Sequence, residues 1–170
     1  LSGKTRHEHD LLGDREVPVE YYFGVQTLRA VENFPISGIQ INHYPELVDA
    51  LAMVKEAAAI ANSELGYLEE EKKDAIVKAC QEIKGGKLHE HFVVDPIQGG
   101  AGTSTNMNAN EVIANRALEI LGYEKGDYKY CHPNNDVNLS QSTNDAFPTS
   151  VKIAVVNANR TLIEVLKTLI

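Results

Sequence analysis

Residues 45–66, PELVDALAMVKEAAAIANSELG, contain the clearest helix signal in the chain. Pro45 suits the first turn of a helix, and Gly66 suits its end. Between them, apolar side chains recur at spacings of three and four residues, which places them on one helix face. This predicted stripe consists of Leu47, Val48, Leu51, Val54, Ala58, Ala61 and Leu65. The stretch therefore predicts a long amphipathic helix and, with it, a mainly α fold.

Three more helices are predicted along the chain. Residues 69–86, EEEKKDAIVKACQEIKGG, have acidic residues at the start and two glycines at the end, as a helix prefers. Another helix is expected from Thr105 to Leu121, and a last one from about Pro148. Residues 1–44 are expected to be irregular, because glycine and proline interrupt them too often for a long helix.

The last predicted helix has an apolar stripe that continues to the end of the chain. Its members are Val151, Val155, Ala158, Leu162, Leu166 and Leu169. A long stripe of this kind predicts packing against helices of other chains, or of a longer protein from which this sequence is taken. The expected fold class is mainly α: an irregular N-terminal region plus a helical domain, ending in the first long helix of a multi-helix bundle.

Composition and charge narrow the class of protein. The 170 residues are 43% hydrophobic and 24% charged, which is typical of a soluble globular domain. No apolar run approaches the roughly 18 residues of a membrane span, and no secretory signal pattern opens the chain. The net charge of -8 without a basic run argues against nucleic acid or an anionic membrane as partner.

Cysteine and histidine spacing does not suggest a metal site. Cys80 and Cys131 form neither a CxxC pair nor a disulfide framework, which indicates thiols in a reducing, cytoplasmic compartment. The pairs His7/His9 and His89/His91 have i, i+2 spacing, so the two side chains of each pair point apart on a helix. We therefore expect no bound metal.

Two uncharged, hydroxyl- and amide-rich stretches each precede a predicted helix. They lie in DPIQGGAGTSTNMNANEV at 95–112 and NLSQSTNDAFPT at 138–149. Helix N-termini have free N–H groups and a partial positive charge, so such loops bind anions well. Ser, Thr and Asn are also the usual helix caps, so each loop alone has a purely structural interpretation. Lys and Arg are absent from both loops, so a cation for an anionic ligand has to come from elsewhere.

At these residues the sequence resembles a known family. GGAGTSTNMNANEVIANRA at 99–117 and SQSTNDAFPT at 140–149 are similar to two of the three signature regions of the aspartase/fumarase superfamily. DLLGDREVPVEYYFGVQTLRAVENFPISG at 10–38 is similar to the N-terminal stretch of the same enzymes. Within the superfamily, GTSTNMN and QSTND most resemble the aspartate ammonia-lyase branch.

The resemblance implies reversible anti-elimination of ammonia from L-aspartate, giving fumarate through an enediolate intermediate without an organic cofactor. It implies a homotetramer whose active sites are shared between subunits. Thr103, Ser142, Thr143 and Asn144 match substrate-binding positions, and the serine base of the family lies beyond Ile170, so no catalytic residue is expected here. Residues 1–145 would form an N-terminal helical domain, and 146–170 would begin the central helical bundle.

Two departures from the family pattern keep alternatives open. Phe23 replaces the usual tyrosine in YYFG. HPNNDVN at 132–138 resembles the second anion site of fumarases, with His132 and Asn134 kept and Asn135 where fumarases have aspartate. The alternatives are a class II fumarase (fumarate hydratase) and a non-catalytic helical structural module.

Overall fold

The computed structural model describes residues 2–169, and it is mainly helical, as the sequence predicts. A β-hairpin formed by β1 (Thr5–Asp10) and β2 (Gly13–Pro18) opens the chain. The helices that follow are α1 (Val25–Asn33), α2 (Pro45–Glu64), α3 (Glu70–Lys84), α4 (Thr103–Ile120) and α5 (Thr143–Lys167). Short 3-10 turns lie at Ile41–His43 and His89–His91, and a π-helical turn lies at Pro133–Val137.

The hairpin and α1 correct the prediction that residues 1–44 are irregular. β1 and β2 pair antiparallel in a register that places Thr5 opposite Pro18. Their sequences, TRHEHD and GDREVP, lack the alternation of apolar and polar residues that marks a strand. The buried position is Glu8 in β1 and Val17 in β2. A buried charge pair replaces the usual apolar contact: Arg6 Nε donates to Glu8 Oε1 at 2.7 Å.

Two buried carboxyl groups cap the N-terminus of α1. The Glu111 side chain of α4 accepts hydrogen bonds from three backbone N–H groups, those of Gly24 at 2.8 Å, Gln26 at 2.8 Å and Thr27 at 3.0 Å. Glu8 of β1 accepts a fourth, from Val25 at 2.8 Å. Helix N-termini attract negative charge, so these bonds fasten α1 between the hairpin and α4. At Gly24 any Cβ would lie 2.5 Å from both Glu8 Oε2 and the Tyr128 hydroxyl, so the contact requires glycine.

The hydrophobic core lies between α2, α3 and α4, with fully buried residues such as Leu51, Ile76 and Ile113. The face of α2 that is buried in this core differs from the predicted apolar stripe. Ala61 and Leu65 belong to the stripe but are exposed. The buried residues of α2 are Val48, Ala50, Leu51, Ala52, Lys55, Ala59 and Asn62. The buried face therefore includes a lysine and an asparagine, which an apolar pattern does not count.

Helix starts also differ from the predictions. α4 begins at Thr103, two residues before the predicted start. α5 begins at Thr143, so Pro148 lies inside the helix. A capping box explains this earlier start: the Ser142 side chain accepts from the Asn144 backbone, and the Asp145 side chain accepts from the Ser142 backbone. The residues predicted as a loop before α5 are thus partly its first turn.

The outer half of α5 carries an exposed apolar face. Val155, Leu162 and Leu166 are 54%, 54% and 47% exposed, although they belong to the predicted stripe. In the middle of the helix, Val151 and Ala158 line a shallow groove together with Tyr44 and Leu47 of the α2 region. Between residues 2 and 169 no helix is long and apolar enough to cross a membrane.

Candidate functional site

The N-terminus of α4 offers hydrogen-bond donors to an outside ligand. Gly102 precedes the helix with a left-handed backbone, φ +84°, and has no side chain with which to cap it. Gln98 accepts from the Thr105 amide at 2.9 Å. The amides of Thr103 and Ser104 have no acceptor within residues 2–169, and the Thr103 side chain is exposed. Two amides and one hydroxyl are therefore available at this helix start.

The N-terminus of α5 is capped by Ser142. Ser142 Oγ accepts from the Asn144 amide at 3.2 Å, so this hydroxyl has a structural partner. Thr143 is half-buried, and its Oγ1 accepts a hydrogen bond from Asn106 Nδ2 at 3.2 Å. The Asn144 side chain is exposed to solvent. Ser142 and Thr143 therefore each accept one hydrogen bond, whereas the Asn144 side chain has no partner within residues 2–169.

The two loops are packed against each other, as a shared site requires. A Cβ at Gly102 would lie 2.2 Å from the Phe147 ring of α5, so the ring occupies the space beside this glycine. The hydrogen bond between Asn106 of α4 and Thr143 of α5 links the same two elements. The structure thus brings the first turns of both helices together, and their partial positive charges with them.

Lys55 of α2 lies behind both loops and is fully buried. Its Nζ donates to three amide oxygens: Asn106 Oδ1 at 2.7 Å, Asn138 Oδ1 at 2.8 Å and Gln141 Oε1 at 2.9 Å. Burial lowers the pKa of Lys55 to about 7, whereas three acceptors are best matched by an ammonium with three N–H donors. α2 therefore places a lysine behind the two loops, with its three donors directed to their amide oxygens and not to the surface where a ligand would bind.

Sequence reasoning missed Lys55, although a signal was present. Lys55 follows Leu51 by four residues and precedes Ala59 by four, so it lies on the buried face of α2. A lysine in such a position needs partners, because burying an unpaired charge is costly. The two amide-rich stretches are the partners that the sequence offers.

The residues of the predicted second anion site lie at the π-helical turn. His132 Nδ1 accepts from the backbone amides of Asn134 at 3.0 Å and Asn135 at 3.2 Å, so the ring proton is on Nε2. Burial lowers the pKa of His132, which favours the neutral ring at pH 7. His132 and Asn134 line a cavity of about 300 Å³ together with Asp10 and Glu111. Two carboxyl groups in this lining disfavour an anion, and the second anion site stays a prediction.

Other positions named from the sequence have structural surroundings. Phe23 is buried, and its ring stacks on Tyr21 with centroids 4.6 Å apart. Cys80 and Cys131 are buried free thiols, and burial raises the pKa of Cys131 to about 12. Across residues 2–169, no three His, Cys, Asp or Glu side chains come together as metal ligands would.

Comparison with known proteins gives close relatives. The chain is 61% identical over 166 residues to an aspartate ammonia-lyase from Pseudomonas aeruginosa, covering 98% of this chain and 35% of that protein. It is also similar in structure to the native form of a fumarate lyase:delta crystallin from Brucella melitensis. That match has 61% identity and a TM-score of 0.91, and it covers 92% of this chain and 36% of the other.

A class II fumarase from Schistosoma mansoni is a more distant match. It has 40% identity and a TM-score of 0.82, with 89% of this chain and 32% of the fumarase covered. The chain thus spans about a third of the length of the relatives that it matches.

A family model described as lyase matches residues 13–170. This match covers most of the chain, and it includes both polar loops and the helices that follow them. Together with the relatives above, it confirms the resemblance seen in the sequence motifs, and the chain therefore belongs to this lyase family.

Proposed function

We propose that this chain is part of an aspartate ammonia-lyase, which eliminates ammonia from L-aspartate to give fumarate. The single observation that carries the proposal is the meeting of the polar N-termini of α4 and α5 over the buried Lys55. Identity of 61% to an aspartate ammonia-lyase supports this branch over the fumarases, since the fumarase match has 40%.

The donor set suits a dicarboxylate whose charge increases during the reaction. Thr103, Thr143 and Asn144 offer hydroxyl and amide groups, and the free Thr103 amide adds a backbone donor. When a proton leaves the carbon beside a carboxylate, negative charge develops on the carboxylate oxygens. Donors fixed at helix starts stabilise that charge with little reorganisation. Ser142 belongs to the same proposed substrate-binding set, with its Oγ also serving as the cap of α5.

The rest of the site is proposed to come from other parts of a longer polypeptide and from other subunits. The proposed serine base lies beyond Ile170, and no organic cofactor takes part. Residues 1–145 are proposed as the N-terminal domain, and residues 146–170 as the start of the central bundle. The boundary falls within the first turn of α5. The exposed apolar face of this helix supports association with further helices, and we propose that the assembly is a homotetramer. We place the enzyme in the cytoplasm, where free thiols stay reduced.

The activity is tested on the full-length protein, meaning this chain within a polypeptide of its relatives' length. Formation of fumarate from L-aspartate is followed by the ultraviolet absorbance of the conjugated double bond. We expect fumarate from L-aspartate and none from L-malate. Fumarate from L-malate alone would make the protein a class II fumarase, the alternative suggested by the HPNNDVN motif and by the 40% match. Turnover of neither would favour the structural module.

A further inference from the structure

Lys55 fixes the orientation of every amide that it contacts. An ammonium only donates, so each of the three amides must turn its oxygen toward Nζ. For Asn106, this leaves Nδ2 facing the other way, where it donates to Asn138 Oδ1 at 3.1 Å and to Thr143 Oγ1 at 3.2 Å. All hydrogen-bonding atoms of the Asn106 side chain are then used, and its orientation is determined.

The orientation of Asn106 determines what the Thr143 hydroxyl does. A hydroxyl has one proton and two lone pairs. Because Asn106 donates to Oγ1, one lone pair is occupied, and the Thr143 proton must point to a different acceptor. No acceptor for that proton lies within residues 2–169. The Thr143 hydroxyl is therefore left as a donor for a ligand at the meeting point of α4 and α5.

We propose that Lys55 is a positioning residue that acts through Asn106 to direct the Thr143 proton toward a carboxylate of the substrate. The inference rests on the proposed function for the identity of that substrate. Hydrogen bonds arranged in a chain polarise one another, so the buried ammonium also strengthens the Thr143 donor without contacting the ligand. Lys55 thus contributes to carboxylate binding from the core of the protein.

The sharpest test reverses the chain of hydrogen bonds while keeping its size. Asn106→Asp keeps an oxygen for Lys55 and supplies a counter-ion, but it replaces the Nδ2 donor by a second acceptor. Thr143 then donates its proton to the new carboxylate and loses it for the ligand. In the full-length protein we expect the Kd for fumarate to rise at least about tenfold, the scale of a hydrogen bond to a charged group. The substitution also removes the hydrogen bond from Asn106 Nδ2 to Asn138 Oδ1, so its melting temperature is compared with that of Asn138→Asp, which loses the hydrogen bond from Asn138 Nδ2 to the Gln141 carbonyl.

Asn138→Asp is the matched control, because it introduces the same charge 2.8 Å from Lys55 Nζ. It leaves the hydrogen bond from Asn106 Nδ2 to Thr143 Oγ1 in place. We therefore expect the factor by which the Kd rises to be at least about tenfold smaller in Asn138→Asp than in Asn106→Asp. Equal losses in the two variants would show that added charge is responsible, and would overturn the inference. Lys55→Met is expected to raise the Kd as well, but the Asn106 and Asn138 pair decides the matter if that variant does not fold.

A double-mutant cycle tests the link to Thr143 directly. In a Thr143→Val background, Asn106→Asp should add little further loss, because the hydroxyl that it misdirects is gone. If the rise in Kd of the double variant equals the product of the rises in the two single variants, the proposed chain of hydrogen bonds is contradicted.

Because these experiments measure the binding of fumarate and not turnover, their outcome can be distinguished from the outcome of the activity test. Wild-type turnover of L-malate instead of L-aspartate would refute the aspartate ammonia-lyase proposal and leave the Kd comparison valid, since fumarate is a ligand in both reactions. A wild-type protein that does not bind fumarate would overturn the two proposals together.

Discussion

Thr103 and Asn144 combine exposure with the absence of side-chain partners within residues 2–169, which distinguishes them from residues that hold the fold. We predict that Thr103→Ala or Asn144→Ala in the full-length protein lowers kcat/KM for L-aspartate by about 10²-fold or more. This is the scale for losing one preorganised donor to developing charge. The melting temperature should hardly change, because neither side chain supports the helix that carries it.

Ser142 provides the contrasting variant. Its hydroxyl caps α5, so Ser142→Ala should lower the free energy of unfolding by about 1 kcal/mol. Because Ser142 also belongs to the proposed substrate-binding set, Ser142→Ala should lose both stability and kcat/KM, whereas Thr103→Ala and Asn144→Ala should lose kcat/KM alone. Steady-state kinetics and thermal melts of the three variants measure both quantities. Loss of stability with full activity in Thr103→Ala or Asn144→Ala would mean that the polar loops serve only as caps.

The positions and partners of individual buried polar residues are the hardest features to predict from the sequence. The polar loops were recognised, because their composition alone marks them. Lys55 was missed since its three amide partners are 51 to 86 residues away along the chain, and only the fold brings them together. Pro148 predicts a later start for α5 than the structure shows, although Ser142 and Asp145 have the spacing of a capping box. The proline is a strong local signal, but here the cap determines where the helix begins.

Glu111 connects α4 to the N-terminus of α1, and its titration should be visible in stability. Burial is the main cause that raises its pKa to about 7, and the nearby Glu8 carboxyl adds to it. The ordinary value of 4.5 applies in the unfolded chain. Between these values the folded protein holds a proton that the unfolded chain has lost. The contribution of Glu111 to stability therefore falls as the pH rises from about 4.5 to about 7.

We predict that Glu111→Gln removes this pH-dependent component. It should also cost about 1–3 kcal/mol at any pH, because an amide N–H₂ replaces an oxygen that accepted backbone N–H groups. Urea unfolding of wild type and variant across this pH range gives both quantities. Glu64→Gln, at an exposed position of α2, is the control and should retain the wild-type slope. An unchanged slope in Glu111→Gln would refute the raised pKa.

The contact between Gly102 and Phe147 holds the two helix starts together. Gly102→Ala places a Cβ 2.2 Å from the ring and forces a side chain into a left-handed backbone, φ +84°. We expect a lower melting temperature and a loss of kcat/KM, since the two donor sets move apart. In a Phe147→Ala background the clash is absent and only the backbone strain of about 1 kcal/mol remains, so Gly102→Ala should cost less. Equal costs in both backgrounds would show that the ring does not determine this spacing.

Long amphipathic helices were predicted well, and the short N-terminal elements were not. α2, α3 and α4 were found because apolar periodicity and terminal signals agree over 15 to 20 residues. The hairpin has no such pattern, because its buried face combines the apolar Val17 with the charged pair of Arg6 and Glu8. α1 is nine residues long, and its N-terminus is capped by Glu8 and Glu111 rather than by a local residue. No local sequence rule detects caps that come from a distant segment.

The exposed face of α5 determines how the chain behaves as a whole. Leu162, Val165 and Leu166 are 54%, 55% and 47% exposed, and they lie on a helix that extends beyond the α2–α4 core. Contiguous exposed apolar surface of this kind is typical of protein–protein interfaces. Because the proposed active site needs residues from other segments and subunits, association and catalysis should depend on the same helix.

We therefore predict that the 170-residue chain alone self-associates and has no ammonia-lyase activity. The donors of α4 and α5 are present, but proton abstraction also needs a positioned base, and the proposed one lies beyond Ile170. Size-exclusion chromatography with light scattering should give species larger than 18.7 kDa. Leu162→Glu together with Leu166→Glu should shift them toward the monomer, whereas Leu65→Glu, at an exposed position at the end of α2, should not. A monomeric chain that forms fumarate from L-aspartate would contradict the shared-site proposal, because every group needed for the elimination would then lie within these 170 residues.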